Sequence, residues 1–160
     1  MPSLFFPAYF LFFSALIVTI RSDLETMLIS RFVSLFLVPV GCILSFFGYL
    51  PLSLTQSILG ALFGYFILFA IAAIFKKLSG KEGMGQGDIE LLAFIGSFLG
   101  ITGAWLSLFI GSIAGSLIGL IILARNHHAP GKRIPFGPFL ALGAISFVLF
   151  HEKLIALICF

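Results

Sequence analysis

Six apolar runs separated by short connections constrain this chain more than any other feature. The runs occupy about residues 3–20, 32–50, 57–75, 89–99, 104–124 and 136–150. A bilayer core about 30 Å thick is crossed by about 20 helical residues, each rising about 1.5 Å. Only 9% of the residues are charged and 61% are hydrophobic, which is far more apolar than a soluble domain. The sequence therefore predicts one all-α polytopic membrane domain over residues 1–160, with about six transmembrane helices.

The fourth and fifth runs leave two arrangements open. The fourth run is short, so it is either tilted or joined to the fifth through "LGITGAW" as a tight helical hairpin. Within the fifth run, Gly111, Gly115 and Gly119 recur at every fourth residue. A stripe of small residues lets a neighbouring helix approach closely. The stripe is typical of a helix-packing face.

The basic residues alternate between the connections. They follow the first run at Arg21 and Arg31, the third at Lys76, Lys77 and Lys81, and the fifth at Arg125, Lys132 and Arg133. The connections after the second and fourth runs carry no charge. The positive-inside rule then predicts that the first, third and fifth connections face the cytoplasm and that both termini face outward.

Two aspartates emerge on this predicted cytoplasmic face. Asp23 follows the first run in "IRSDLETMLIS", and Asp88 opens the fourth run, 65 residues later. Taken alone, Asp88 is typical of a helix cap that accepts N–H groups of the first turn. Asp23 alone is typical of a solvated loop residue. Their shared face is what allows the two carboxyl groups to act together.

A glycine-rich segment, "KEGMGQGDIELLAFIG", precedes the second aspartate. Gly83, Gly85 and Gly87 alternate in it. Glycine is expected where the backbone approaches something closely or changes conformation. We expect this loop to be mobile and to lie beside an extended substrate strand.

These segments resemble the type IV prepilin peptidases, which are GxGD-type intramembrane aspartic proteases. "GMGQGDIELLAFIGSFLG" resembles their second active-site motif, "SDLETMLI" the first, and "KRIPFGPFLALGA" the signature of their last helix. The resemblance covers residues 20–144 and implies that Asp23 and Asp88 are catalytic. It also implies a location in the bacterial cytoplasmic (inner) membrane and a turn containing Pro135 and Gly137 near the active site.

The chemistry of two close carboxyl groups fits that implication. Such a pair shares one proton, because both members cannot ionise cheaply. The ionised member would take a proton from water, and the protonated member would donate to the developing tetrahedral oxygen and to the leaving amine. This mechanism requires no metal and no other cofactor.

The resemblance implies a prepilin or pseudopilin substrate, with a basic leader, a glycine at the cleavage point and an apolar helix. Beside the lipid bilayer this is the expected partner, and no nucleic acid is expected. Glu25, Glu82 and Glu90 could attract the leader. Alternatively, they pair with Lys77, Lys81 or Arg21 in exposed contacts of little energetic value.

The chain departs from the family pattern at several positions. It contains no CxxC pair, so the resemblance extends to peptidase activity and leaves N-methylation in doubt. Ser30 and Arg31 replace the usual Pro-Asp, Glu90 replaces a common lysine, and "RS" precedes the first aspartate in place of an apolar residue. These departures favour a divergent leader specificity or, alternatively, an inactive relative. The rival functions are a small proton-coupled transporter or channel and a non-catalytic factor that holds a pilin-like helix.

Overall fold

The computed structural model describes residues 5–26, 31–80, 85–125 and 135–158 of the chain. These ranges contain five helices: α1 (Phe6–Thr26), α2 (Arg31–Phe46), α3 (Leu54–Ser79), α4 (Gln86–Arg125) and α5 (Gly137–Ile158). Three of the helices described are long and apolar enough to cross a membrane, over Phe6–Asp23, Leu54–Ser79 and Gln86–Ile122. Shorter apolar stretches lie at Phe36–Phe46 and Gly137–Phe150. The all-helical architecture agrees with the predicted fold class.

The predicted fourth and fifth runs form one helical element with a sharp break. Gly100 has φ 72° and ψ −173°, a combination that is essentially restricted to glycine. A Cβ atom on Gly103 would overlap the Cβ of Leu99, although residues four apart in a straight helix keep these atoms about 6 Å apart. The chain therefore folds back at Gly100, as in the hairpin alternative. We refer to residues 86–99 and 101–125 as the first and second segments of α4.

Helix α1 continues beyond the predicted end of the first run. The prediction placed Asp23 just past the helix, but Asp23 lies inside α1, which ends at Thr26. No glycine or proline interrupts residues 21–26, and Arg21 pairs with Glu25 one turn later, Nε to Oε1, at 2.8 Å. An ion pair at this spacing supports helix. Asp23 is thus held on a regular backbone.

Backbone-to-backbone contacts bring α3 against the first segment of α4. A Cβ atom on Gly60 would overlap the carbonyl oxygen of Gly96, and one on Gly64 would overlap that of Leu92. Moving four residues forward along α3 therefore corresponds to moving four residues backward along α4. The two helices run antiparallel at the close separation that small residues allow.

The predicted glycine stripe serves a second close packing. A Cβ on Gly111 would lie 2.9 Å from the carbonyl oxygen of Phe139, and one on Gly115 would lie 3.4 Å from the ring of Phe139. In the opposite direction, Gly143 of α5 faces the backbone of Ser107. The second segment of α4 and helix α5 are therefore antiparallel neighbours, which confirms the close-packing role of Gly111, while Gly115 has only ordinary side-chain neighbours.

The side chains are arranged for an apolar surrounding. The outer surface carries large hydrophobic residues, such as Phe36, Leu78 and Phe109, which are 76%, 82% and 55% exposed. Polar groups such as Asp23 and Asp88 are buried instead. In water such an exposed apolar surface would be a liability, whereas in a bilayer it faces lipid.

Candidate active site

The two predicted aspartates come together in the fold. Asp23 near the end of α1 and Asp88 in the first turn of α4 are 5% and 7% exposed. The two carboxyl groups are close enough for Asp23 to act electrostatically on Asp88. The structure thus joins two acidic groups that lie 65 residues apart in sequence.

An aromatic cluster joins α1 to the first segment of α4. The ring of Phe12 lies 5.3 Å from that of Phe94 and 5.2 Å from that of Phe98, centroid to centroid. Asp23 follows Phe12 by eleven residues, and Asp88 precedes Phe98 by ten. Asp88 precedes Phe94 by six residues, so at about 1.5 Å per residue both aspartates lie within about 9–17 Å of this cluster along their helices.

Helix α5 supplies a hydrogen-bond donor to the first aspartate. The backbone N–H of Gly137, the first residue of α5, donates to Asp23 Oδ2 at 3.1 Å in a buried setting. The sequence separation of 114 makes this a tertiary contact between α1 and α5. Pro135, the neighbouring predicted site residue, is partly buried and lies just before the helix. The contact brings Gly137 into the site.

The second aspartate is held by the start of its own helix. The Asp88 N–H donates to the Gly85 carbonyl oxygen at 3.3 Å, which makes Asp88 the third residue of the helix. A carboxylate in the first turn is favoured by the helix dipole. The sequence suggested a cap at Asp88 itself, but the helix begins two residues earlier, so Asp88 lies within the first turn, where it meets Asp23.

The glycine-rich approach is shorter than the sequence predicted. Helix α4 begins at Gln86, so Gly87 lies in its first turn and not in the loop. A helix can start there because the Asp88 N–H donates to the Gly85 carbonyl oxygen and so closes the first turn. A Cβ on Gly85 would lie 3.5 Å from Asp88 Oδ2. Gly83 falls outside the described residues.

The remaining predicted site residues differ in environment. Glu25 is exposed and paired with Arg21, which agrees with the exposed-contact alternative. Glu90, two residues after Asp88, is only 5% exposed. Its side chain is therefore poorly accessible to a substrate leader. Glu82 lies outside the described residues.

Sequence reasoning missed the N–H donated by Gly137 to Asp23. The available signal was the pair Gly137-Pro138 at a helix start, since proline marks the first turn of a helix and carries no N–H of its own. The sequence suggested a nearby turn, but it gave no indication of which atom would bind.

An apolar, all-helical fold with two buried, interacting aspartates at helix ends defines a membrane protein with a paired-carboxyl site. The sequence model of the type IV leader peptidase family matches residues 10–120. The chain belongs to this family.

Curated relatives carry the name prepilin leader peptidase/N-methyltransferase. The protein from Aeromonas salmonicida (strain A449) is 39% identical over 134 residues, which are 82% of this chain and 45% of the relative. The Pseudomonas aeruginosa protein is 37% identical over 115 residues, or 72% and 39% of the two chains. The Burkholderia pseudomallei (strain K96243) protein is 34% identical over 137 residues, or 86% and 44%. The matched region is thus less than half the length of these relatives, and no solved structure matches the chain.

Proposed function

We propose that this protein is a membrane-embedded aspartic endopeptidase that removes the basic leader of type IV prepilin or pseudopilin precursors. The observation that carries the proposal is the meeting of Asp23 and Asp88, both buried and electrostatically coupled. The family and the names of the relatives supply the substrate class.

In the proposed mechanism the aspartates act as an acid–base pair. Two carboxyl groups that lie close together share one proton, because a second negative charge nearby disfavours ionisation. The ionised member takes a proton from a water molecule, which attacks the peptide carbonyl carbon. The other member gives its proton to the carbonyl oxygen and, as the C–N bond breaks, a proton passes to the leaving amine. The backbone N–H of Gly137 holds the Asp23 carboxyl group meanwhile.

The site location suits a substrate with a polar leader and an apolar helix. Asp23 lies three residues before the end of α1, and Asp88 is the third residue of α4. We propose that these helix ends face the cytoplasm of a bacterial inner membrane that the chain crosses six times, with both termini outside. The alternation of basic connections supports this orientation. Cleavage would then follow a glycine at the membrane edge.

The test is cleavage of a prepilin from the same genome by the purified protein in detergent. Mass spectrometry would identify the products, and the Asp23→Asn/Asp88→Asn double variant would serve as the control for a contaminating peptidase. A leader that ends in glycine and is released by the wild-type protein alone would support the proposal. A folded wild-type protein that binds this substrate without cleaving it would favour the assembly-factor alternative.

A further inference from the structure

The first turn of α5 leaves one backbone donor unused by the helix. The N–H of Leu140 bonds the Phe136 carbonyl oxygen at 3.2 Å and that of Phe139 bonds the same oxygen at 3.0 Å. Pro138 has no N–H. Within this turn, only the Gly137 N–H is therefore available for a partner outside the helix, and it donates to Asp23 Oδ2.

The residue type at position 137 fits this task. A proline disfavours the helical conformation of the residue before it, partly through a clash with that residue's Cβ. Gly137 has no Cβ and adopts the helical conformation directly before Pro138. A helix start at position 137 is what points the N–H of that residue away from the helix, since the first N–H groups of a helix have no intrahelical partner.

We propose that Gly137 is a positioning residue that fixes the Asp23 carboxylate through its backbone N–H. The catalytic part of this inference rests on the proposed function. The carboxylate sits at the N-terminal end of α5, where the helix dipole favours a negative charge. Asp88 lies in the first turn of its own helix, whereas the Asp23 carboxylate is bound by α5. The placement of α5 therefore determines how Asp23 faces Asp88.

Proline and alanine at position 137 separate the hydrogen bond from the shape of the turn. The Gly137→Pro variant removes the N–H and is compatible with the first helical position, where proline is common. The Gly137→Ala variant keeps the N–H. Both variants add a Cβ before Pro138, so any strain from that atom is shared. Proline also places its Cδ where the N–H pointed toward Asp23 Oδ2, so the difference between the variants reports on the whole contact between this backbone nitrogen and the carboxylate.

Steady-state cleavage of the prepilin gives the first readout. We expect kcat of the Gly137→Pro variant to be about 10- to 100-fold below that of Gly137→Ala, as for loss of a hydrogen bond to a charged group. KM should be the same for both variants, because the donor binds the enzyme's own carboxylate. Equal kcat values, or a loss confined to KM, would overturn the inference.

Thermal unfolding in detergent tests the contact without relying on catalysis. With Asp23 present, the Gly137→Pro variant should unfold at a lower temperature than Gly137→Ala. In an Asp23→Ala background this gap should become smaller, as expected for a direct interaction in a double-mutant cycle. A gap of the same size in both backgrounds would overturn the inference even if the wild-type protein cleaves prepilin. If the wild-type protein cleaves nothing, the proposed function fails while this cycle still decides whether Gly137 fixes Asp23.

Discussion

The backbones of Gly60 in α3 and Gly96 in α4 touch, so that a Cβ on either residue would overlap the carbonyl oxygen of the other. Replacing Gly96 by alanine must push the helices apart. We expect Gly96→Ala to lower the free energy of unfolding by about 1–3 kcal/mol, as for overpacking, measured by denaturant unfolding in detergent micelles.

The matched control is Gly115→Ala on the second segment of α4. There the nearest atom to the new methyl group would be a ring carbon of Phe139 at 3.4 Å, an ordinary contact. Alanine is also the better helix former, by about 1 kcal/mol. Equal stability of Gly96→Ala and Gly115→Ala would contradict the close backbone packing of α3 and α4.

The reversal at Gly100 gives a second prediction. Its φ of 72° and ψ of −173° lie in a region that only glycine occupies without strain. We expect Gly100→Asn to cost about 1–3 kcal/mol in the free energy of unfolding. Gly80 also has a positive φ, 68°, but its ψ of 2° lies in the left-handed helical region, which asparagine tolerates. Gly80→Asn should therefore cost much less. A larger loss of stability for Gly80→Asn than for Gly100→Asn would refute the reversal at Gly100.

A buried serine binds a carbonyl group at the helix end that the reversal at Gly100 creates. The hydroxyl of Ser57 donates to the carbonyl oxygen of Ser97 at 2.6 Å. Ser97 lies in the last turn of the first segment of α4, where carbonyl groups lose their intrahelical partners. We expect Ser57→Ala to lower the free energy of unfolding by about 1–3 kcal/mol, because a buried acceptor is left unsatisfied.

Ser146→Ala is the control for the loss of a hydroxyl group. Ser146 Oγ donates to the Leu142 carbonyl oxygen within its own helix and is exposed. That carbonyl group lies in the helix interior, where the backbone also binds it. Removing the Ser146 hydroxyl should therefore change the free energy of unfolding by less than about 0.5 kcal/mol. A larger loss for Ser146→Ala than for Ser57→Ala would contradict the role given to Ser57.

The pH dependence of cleavage tests whether the carboxyl pair shares a proton. At low pH both members are protonated and no base remains, whereas at high pH both are ionised and no acid remains. We therefore expect kcat to rise and then fall as pH increases, with limbs that belong to the pair. The measurement is kcat over the pH range in which the detergent-solubilised protein stays folded. A kcat that never falls on the alkaline side would contradict an acid–base pair.

Much of the fold was predictable because apolar runs of membrane length are a strong signal. The run at 57–75 corresponds to α3, and the hairpin alternative for "LGITGAW" was correct because Gly100 adopts a conformation suited to glycine. Helix ends were less predictable. The end of α1 was placed too early, since charged residues 21–25 resembled a loop while their i,i+4 pairing extends the helix.

The site was predictable in part, for a physical reason. Asp23 and Asp88 could be placed on one face by counting charges across the connections, and their meeting followed from a family resemblance. The Gly137 contact could not be derived, because a backbone N–H has no side-chain signature and its direction depends on where α5 begins. Similarly, the burial of Glu90 depends on tertiary packing, and its position next to Asp88 in sequence gave no indication of it.

The measurement that tests the central claim most directly compares prepilin cleavage by Asp23→Asn, Asp88→Asn and the double variant. Glu152→Gln makes the same chemical change 15 residues after Gly137 in sequence and serves as the control. If the aspartates form one acid–base pair, each single variant should lose about 10²- to 10⁴-fold in kcat, and the double variant should lose no more than either single, while Glu152→Gln stays near wild type. Full activity in either single aspartate variant, while the protein remains folded, would contradict the claim that Asp23 and Asp88 act together.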